Sequence, residues 1–156
     1  MARTPRTIYL IRVVGVAIRT AIEEKLRDFQ LTDIQYTVLS ILNARDGLSS
    51  AELSRRFRVT PQSMNEMITA LERKGMVSRH EDAANRRILR LALTDHGRSV
   101  LVECERRVDE LESEMFSHLG EGEEAALRGA LHTLMEDIRM GRFSTDAQHA
   151  MAAVTS

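Results

Sequence analysis

The chain has no tryptophan, and only 4% of its 156 residues are aromatic. Leucine, isoleucine, valine, methionine and alanine must therefore fill any core, which suits packed helices better than a sheet sandwich. Its single cysteine, Cys104, excludes an internal disulfide and fits a reducing compartment. Long apolar runs are missing as well. The longest, residues 8–11 and 13–18, are split by Arg12, and neither approaches the roughly 20 residues that a bilayer span needs. The basic opening, residues 1–6, is followed by no small-residue cleavage site, so a cytoplasmic protein with no membrane partner is expected.

Apolar residues make up 43% and charged residues 29%, a globular balance. A net charge of −1 hides an uneven distribution. Residues 52–98 hold ten Arg or Lys against six acids, whereas residues 99–140 hold four against eleven. A basic middle and an acidic end suggest a division of labour, although two ordinary solvated faces would give the same counts.

Hydrophobic spacing predicts a first helix over residues 7–29, with Ile8, Ile11, Gly15, Ile18, Ile22, Leu26 and Phe29 at steps of three and four. Thr32 and Gln35 form a capping-box pattern that opens a second helix, ended by Asp46 and Gly47. Ser49 and Glu52 repeat the pattern before a short helix to Phe57. Arg58 and Val59 turn the chain, and Thr60-Pro61 opens the next helix, closed by Lys74-Gly75. Residues 76–80 and 88–93 alternate like strands, with Leu89, Leu91 and Leu93 on one face and a polar, flexible tip at 81–87. Thr94 and Asp95 cap a long helix reaching residues 119–120. Its seam is Leu101, Cys104, Val108, Leu111 and Met115. A final helix carries Leu127, Leu131, Leu134 and Ile138.

The fold class expected is mainly α with a small β-hairpin wing, a winged helix-turn-helix flanked by dimerisation helices. Its divisions are an N-terminal dimerisation helix (1–30), the DNA-binding domain (31–98), C-terminal dimerisation helices (99–140) and a flexible tail (141–156). Residues 49–74 have the size and turn of a helix-turn-helix, whose second helix can enter a major groove. With Met64, Met67, Ile68 and Leu71 facing the core, the opposite face carries Gln62, Asn65, Glu66, Thr69 and Arg73. Gln62 and Asn65 can pair with adenine, and Arg73 with guanine or phosphate. Thr60 and Ser63 mark a helix N-terminus whose free N–H groups suit a phosphate. Arg86, Arg87 and Arg90 place guanidinium groups on a ribbon that can reach a minor groove, although Arg86 or Arg87 could instead pair with Glu81 or Asp82 and brace the ribbon while the other reaches DNA. Three long amphipathic helices outside that core carry more apolar surface than they can bury alone. A homodimer with two-fold symmetry is therefore expected on a pseudo-palindromic duplex.

The stretches Leu31-Thr32-Asp33-Ile34-Gln35, Val59-Thr60-Pro61-Gln62-Ser63-Met64 and Leu71-Glu72-Arg73-Lys74-Gly75 resemble the MarR family of bacterial regulators. The most specific match is Asp82-Ala83-Ala84-Asn85-Arg86-Arg87, followed by Leu93-Thr94 and Gly97-Arg98. The family's second wing Asp is Asn85 here, which lacks the charge. The resemblance spans about residues 7–140. It implies a winged-helix dimer paired through its first, fifth and sixth helices, with residues 60–74 as recognition helix and a wing arginine at 86 or 87. It also implies repression relieved by a small aromatic acid or phenol.

Rival readings start from Cys104 and the histidines. A thiol redox sensor would use Cys104, but that residue sits in an apolar seam. His80, Glu81 and Asp82 are adjacent on a strand and point to alternate faces, while His96, His118, His132 and His149 are scattered, so no metal or cofactor is expected. No phosphate loop or nucleophile elbow is present, and no histidine lies close to the cysteine in sequence, so catalysis is not expected. The remaining alternative is a helical dimer that binds a protein through a degenerate DNA lobe.

Overall fold

Thr32, Ser49, Thr60 and Thr94 each stand just before a helix, and each side-chain oxygen accepts the backbone N–H three residues on, at 2.9–3.3 Å. These caps fix where four of the six helices begin. In the computed structural model, which describes residues 4–142, the order is α1 (Thr7–Lys25), a 3-10 turn (Arg27–Phe29), α2 (Asp33–Ala44), α3 (Ser50–Phe57), α4 (Pro61–Arg73), β1 (Val77–Glu81), β2 (Leu89–Leu93), α5 (Asp95–Phe116) and α6 (Glu121–Arg139). The expected tail from residue 143 onward lies outside the described residues.

α2, α3, α4, the hairpin and the first half of α5 enclose the core. Val38, Leu39, Leu42, Leu53, Met64, Ile68, Leu71, Leu91, Leu101 and Cys104 are at most 1% exposed. β1 and β2 pair antiparallel with Val77 opposite Leu93 and Arg79 opposite Leu91. The inner edge of β2 also bonds the segment before α3: Leu91 N–H donates to Leu48 O and Gly47 N–H to Leu91 O, at 2.9 and 3.2 Å. The hairpin is thereby fixed to the start of the helix-turn-helix.

Two boundaries and one strand face differ from the periodicity. α1 ends at Lys25 rather than Phe29, because the chain tightens to 3-10 at Arg27 and Gln30 turns left-handed at φ 54°. Arg107 of α5 stabilises that exit: it donates to Lys25 O at 3.0 Å, pairs with Asp28 at 2.8 Å and stacks on Phe29. α5 ends at Phe116, where Ser117 and Leu119 N–H groups bond back three residues instead of four. Leu89 is 43% exposed although it alternates with the buried Leu91 and Leu93, because the hairpin overhangs the core at that end.

Outside this core, α1 has no buried residue. Ile8, Tyr9, Val13, Val14 and Val16 are at least 47% exposed, and α6 leaves Leu127, Leu131, Leu134 and Ile138 39–47% exposed. Among the described residues, no helix is long and apolar enough to cross a membrane.

Candidate nucleic-acid interface

α3 and α4 meet at a three-residue turn. Arg58 takes the left-handed conformation at φ 54°, and Val59 N–H reaches Ser54 O at 3.1 Å. A non-glycine residue there is strained unless the surroundings hold it. Here the buried Ser54 side of α3 and the half-buried Val59 fix the crossing of the two helices. The consequence is that α4 presents its polar face outward.

The first turn of α4 differs in detail from the expected cluster of free N–H groups. Pro61 has no N–H, and the Ser63 N–H is held by Thr60 Oγ1 at 3.1 Å. The two hydroxyls of Thr60 and Ser63 lie 2.8 Å apart. Met64 N–H returns to Thr60 O, which leaves the Gln62 N–H as the one orphan donor of the turn among the described residues.

Farther along, Gln62 Nε2 donates to Glu66 Oε1 at 3.1 Å, and both side chains are exposed. Asn65 Oδ1 accepts from Ser50 Oγ at 2.7 Å, which ties α4 to the start of α3. Thr69 is half-buried and accepts from Arg79 of β1 at 3.3 Å; Arg79 also pairs with Glu72 at 3.0 Å. Thr69 is thus turned toward the hairpin, away from the outermost ridge. Arg73 is exposed at the end of the helix and has no side-chain partner among the described residues.

The hairpin tip is a hydrogen-bonded turn rather than a loose loop. Asp82 Oδ1 accepts the N–H groups of Ala84 and Asn85 at 2.8 and 2.9 Å. Asn85 Oδ1 accepts the Arg87 N–H at 3.1 Å, so an amide oxygen supplies the acceptor there without a charge. The three arginines diverge. Arg86 is 89% exposed with only a loose 3.7 Å pairing to Glu81. Arg87 is exposed, and its guanidinium has no partner among the described residues. Arg90, expected to reach outward, is instead held by Asp82 at 2.6 Å, Glu52 at 3.1 Å and Gly47 O at 3.1 Å. The hydrogen bond from Arg90 holds the Asp82 carboxyl below the usual range, with the Asn85 and Ala84 N–H groups adding to it. Glu52 is also lowered, chiefly by the Ser49 backbone N–H.

Arg55, Arg56 and Arg58 add three exposed cations on α3 and its turn. They were visible only as charge in the sequence. The signal that singles them out is position: they lie at the end of α3 and on the turn that leads into α4.

The rival sites look different. Cys104 is 0% exposed, and burial pushes its thiol up to about 11. His80 lies 2.9 Å from Ser78. Among the described residues, no three His, Cys, Asp or Glu side chains are grouped to hold a metal; His149 lies outside them.

A family model described as MarR family matches residues 29–88. The HTH-type transcriptional repressor Rv2887 of Mycobacterium tuberculosis is 32% identical over 129 residues, covering 83% of this chain and 93% of the relative. A crystal structure of MarR superposes with a TM-score of 0.80 at 26% identity, over 92% of this chain and 99% of that one. The transcriptional repressor CouR, bound to a 23-mer DNA duplex, superposes with a TM-score of 0.78 at 26% identity, over 83% and 92% of the two chains. Both matches share the winged-helix architecture described above.

Proposed function

Starting from the fact that the chain belongs to the MarR family, we propose that it is a transcriptional repressor that binds duplex DNA as a homodimer. The observation that carries this reading is the outer surface of the helix-turn-helix. There α3, the turn after it, α4 and the hairpin tip carry Arg56, Arg58, Arg73 and Arg87, all exposed and none with an acid partner among the described residues. Unpaired guanidinium groups suit phosphates.

In this reading Gln62 and Asn65 face base edges in a major groove. Thr60, Ser63 and the Gln62 N–H sit at a phosphate, and Arg73 reaches the backbone. Arg86 and Arg87 enter the adjacent minor groove from the wing. Thr69 and Arg90 act from behind, holding the hairpin against α4 and α3. The exposed apolar faces of α1 and α6, in residues 1–30 and 99–140, pair two copies. That pairing sets two recognition helices about one DNA turn apart on a pseudo-palindromic operator. Relief of repression by a small aromatic ligand belongs to the reading through the family resemblance. CouR, one of the superposing repressors, is itself bound to DNA, which supports the DNA half of it.

Titration of the chain into labelled random duplex over a salt series tests the proposal. Affinity should fall steeply and linearly in log–log form as counterions are released. A flat response, or no binding at low ionic strength, would point to the protein-binding alternative.

A further inference from the structure

We propose that Glu66 sets the base preference of this chain by accepting a hydrogen bond from the exocyclic amino group of a cytosine in the major groove. The inference rests on the reading of α4 as the helix that enters that groove. Met64, Ile68 and Leu71 are the buried residues of α4. The helical period places Gln62, Glu66 and Arg73 on the ridge opposite that face, with Thr69 between them turned toward the hairpin. Thr69 is engaged by Arg79, and Arg73 is the last residue of the helix. Gln62 and Glu66 therefore hold the N-terminal half of the ridge, the part of a recognition helix that comes closest to base edges.

Glu66 is exposed and has no ion-pair partner among the described residues, although arginines surround the helix-turn-helix. One carboxylate oxygen accepts from Gln62 Nε2 at 3.1 Å, and the other is left open. An ionised carboxylate accepts and never donates. Set among phosphates, it repels any duplex that offers no donor opposite it. In the major groove, cytosine presents an amino donor, adenine places an acceptor beside its amino group, and guanine offers only acceptors. Thymine adds an acceptor and a methyl group. A lone acceptor at this position is satisfied best by cytosine and opposed most by guanine. Gln62, held by Glu66, keeps its amide oxygen and one N–H for the neighbouring base.

Enrichment of bound fragments from a random duplex library, run on the wild-type chain, Glu66→Gln and Glu66→Ala, tests this. The wild-type chain should enrich cytosine at one position of each half-site. Glu66→Gln should move that position toward adenine, and Glu66→Ala should lose the preference, with discrimination falling about tenfold. Affinity of both variants for random duplex should rise, because a negative charge has left the interface; a merely structural role for Glu66 would lower it. Both changes are at an exposed position, so circular dichroism should match the wild-type chain. Unchanged cytosine preference in both variants, or weaker binding to random duplex, overturns the role of Glu66 and leaves the DNA-binding reading intact. A wild-type chain that binds no duplex overturns both.

Discussion

Arg90 Nε lies 2.6 Å from Asp82 Oδ2, across the hairpin that carries the wing arginines. The same guanidinium reaches Glu52 and the carbonyl of Gly47, so the wing is joined to the N-terminal cap of α3 rather than hanging free. Arg90→Ala should therefore speed amide exchange at residues 82–88 and weaken binding to all duplexes several-fold, with no change in base preference. Exchange at the tip that matches wild type would remove Arg90 from this role.

Acid should loosen the same turn. The Asp82 carboxyl is held below its ordinary range, first by Arg90 and then by the N–H groups of Asn85 and Ala84. A depressed native value contributes stability above the unfolded value, and that contribution is lost as pH falls through the native one. The wing should stay ordered from neutral pH down to about 4, where free carboxyls titrate, and loosen in stronger acid. Amide resonances of Ala84 and Asn85, followed through an acid titration, check this. In Asp82→Asn the titration should be flat, and an unaltered acid transition in that variant would assign it to another group.

Much of this architecture is legible in the sequence. The four capping residues mark helix starts by their chemistry alone, and the buried stripe of α4 follows from its period, which leaves its polar face outward. What the sequence hides is which polar group meets which. Arg90 contacts residues 38 and 43 positions away, and no local pattern encodes a contact closed by the fold. The same holds for Thr69, whose outward spacing is overridden by Arg79. The end of α1 was hidden for a different reason: apolar spacing continues through Phe29 whether the backbone is α or 3-10, while the exit is fixed by Arg107 from another helix. Leu89 shows the limit of alternation, which assigns a face but not how far a hairpin extends beyond the core.

Gly97 is where the first turn of α5 passes against the hairpin. A β-carbon there would lie 2.0 Å from the backbone oxygen of Met76 and 2.9 Å from its carbonyl carbon. Met76 O also accepts the Thr94 N–H at 3.1 Å, so the backbone has little freedom to retreat. Gly97→Ala should cost about 2–3 kcal/mol or more by overpacking, read as a lower urea midpoint with an unchanged slope. A loss below about 0.5 kcal/mol, the range of neutral surface changes, would show that the contact relaxes easily.

Cys104 bears on whether oxidation regulates the chain. Its thiol is fully buried and pushed up to about 11 by that burial, with Arg107 pulling the other way. Thiolate is the reactive form, so the fraction available at neutral pH is about a hundredfold below that of an ordinary cysteine. Maleimide labelling should be slow in native buffer and fast in urea, and Cys104→Ala should leave duplex affinity unchanged under peroxide. Rapid native labelling accompanied by loss of binding would restore the redox reading.

Pairing of two copies should show in the salt dependence as well as in mass. Leu131 and Leu134 are each 39% exposed on α6, and Val13 and Val14 on α1 are 47% and 49% exposed; such surfaces are costly to leave in water. Charges placed in that face would be buried without partners in a dimer. The double variant Leu131→Glu, Leu134→Glu should sediment as a monomer. A monomer covers one half-site, so it neutralises about half the phosphates, and the slope of log affinity against log salt should fall to about half the wild-type value. Circular dichroism and urea unfolding would distinguish a separated chain from an unfolded one. A variant that stays dimeric would move the interface elsewhere. A monomeric variant that keeps the full wild-type slope would mean that one lobe alone makes all the phosphate contacts.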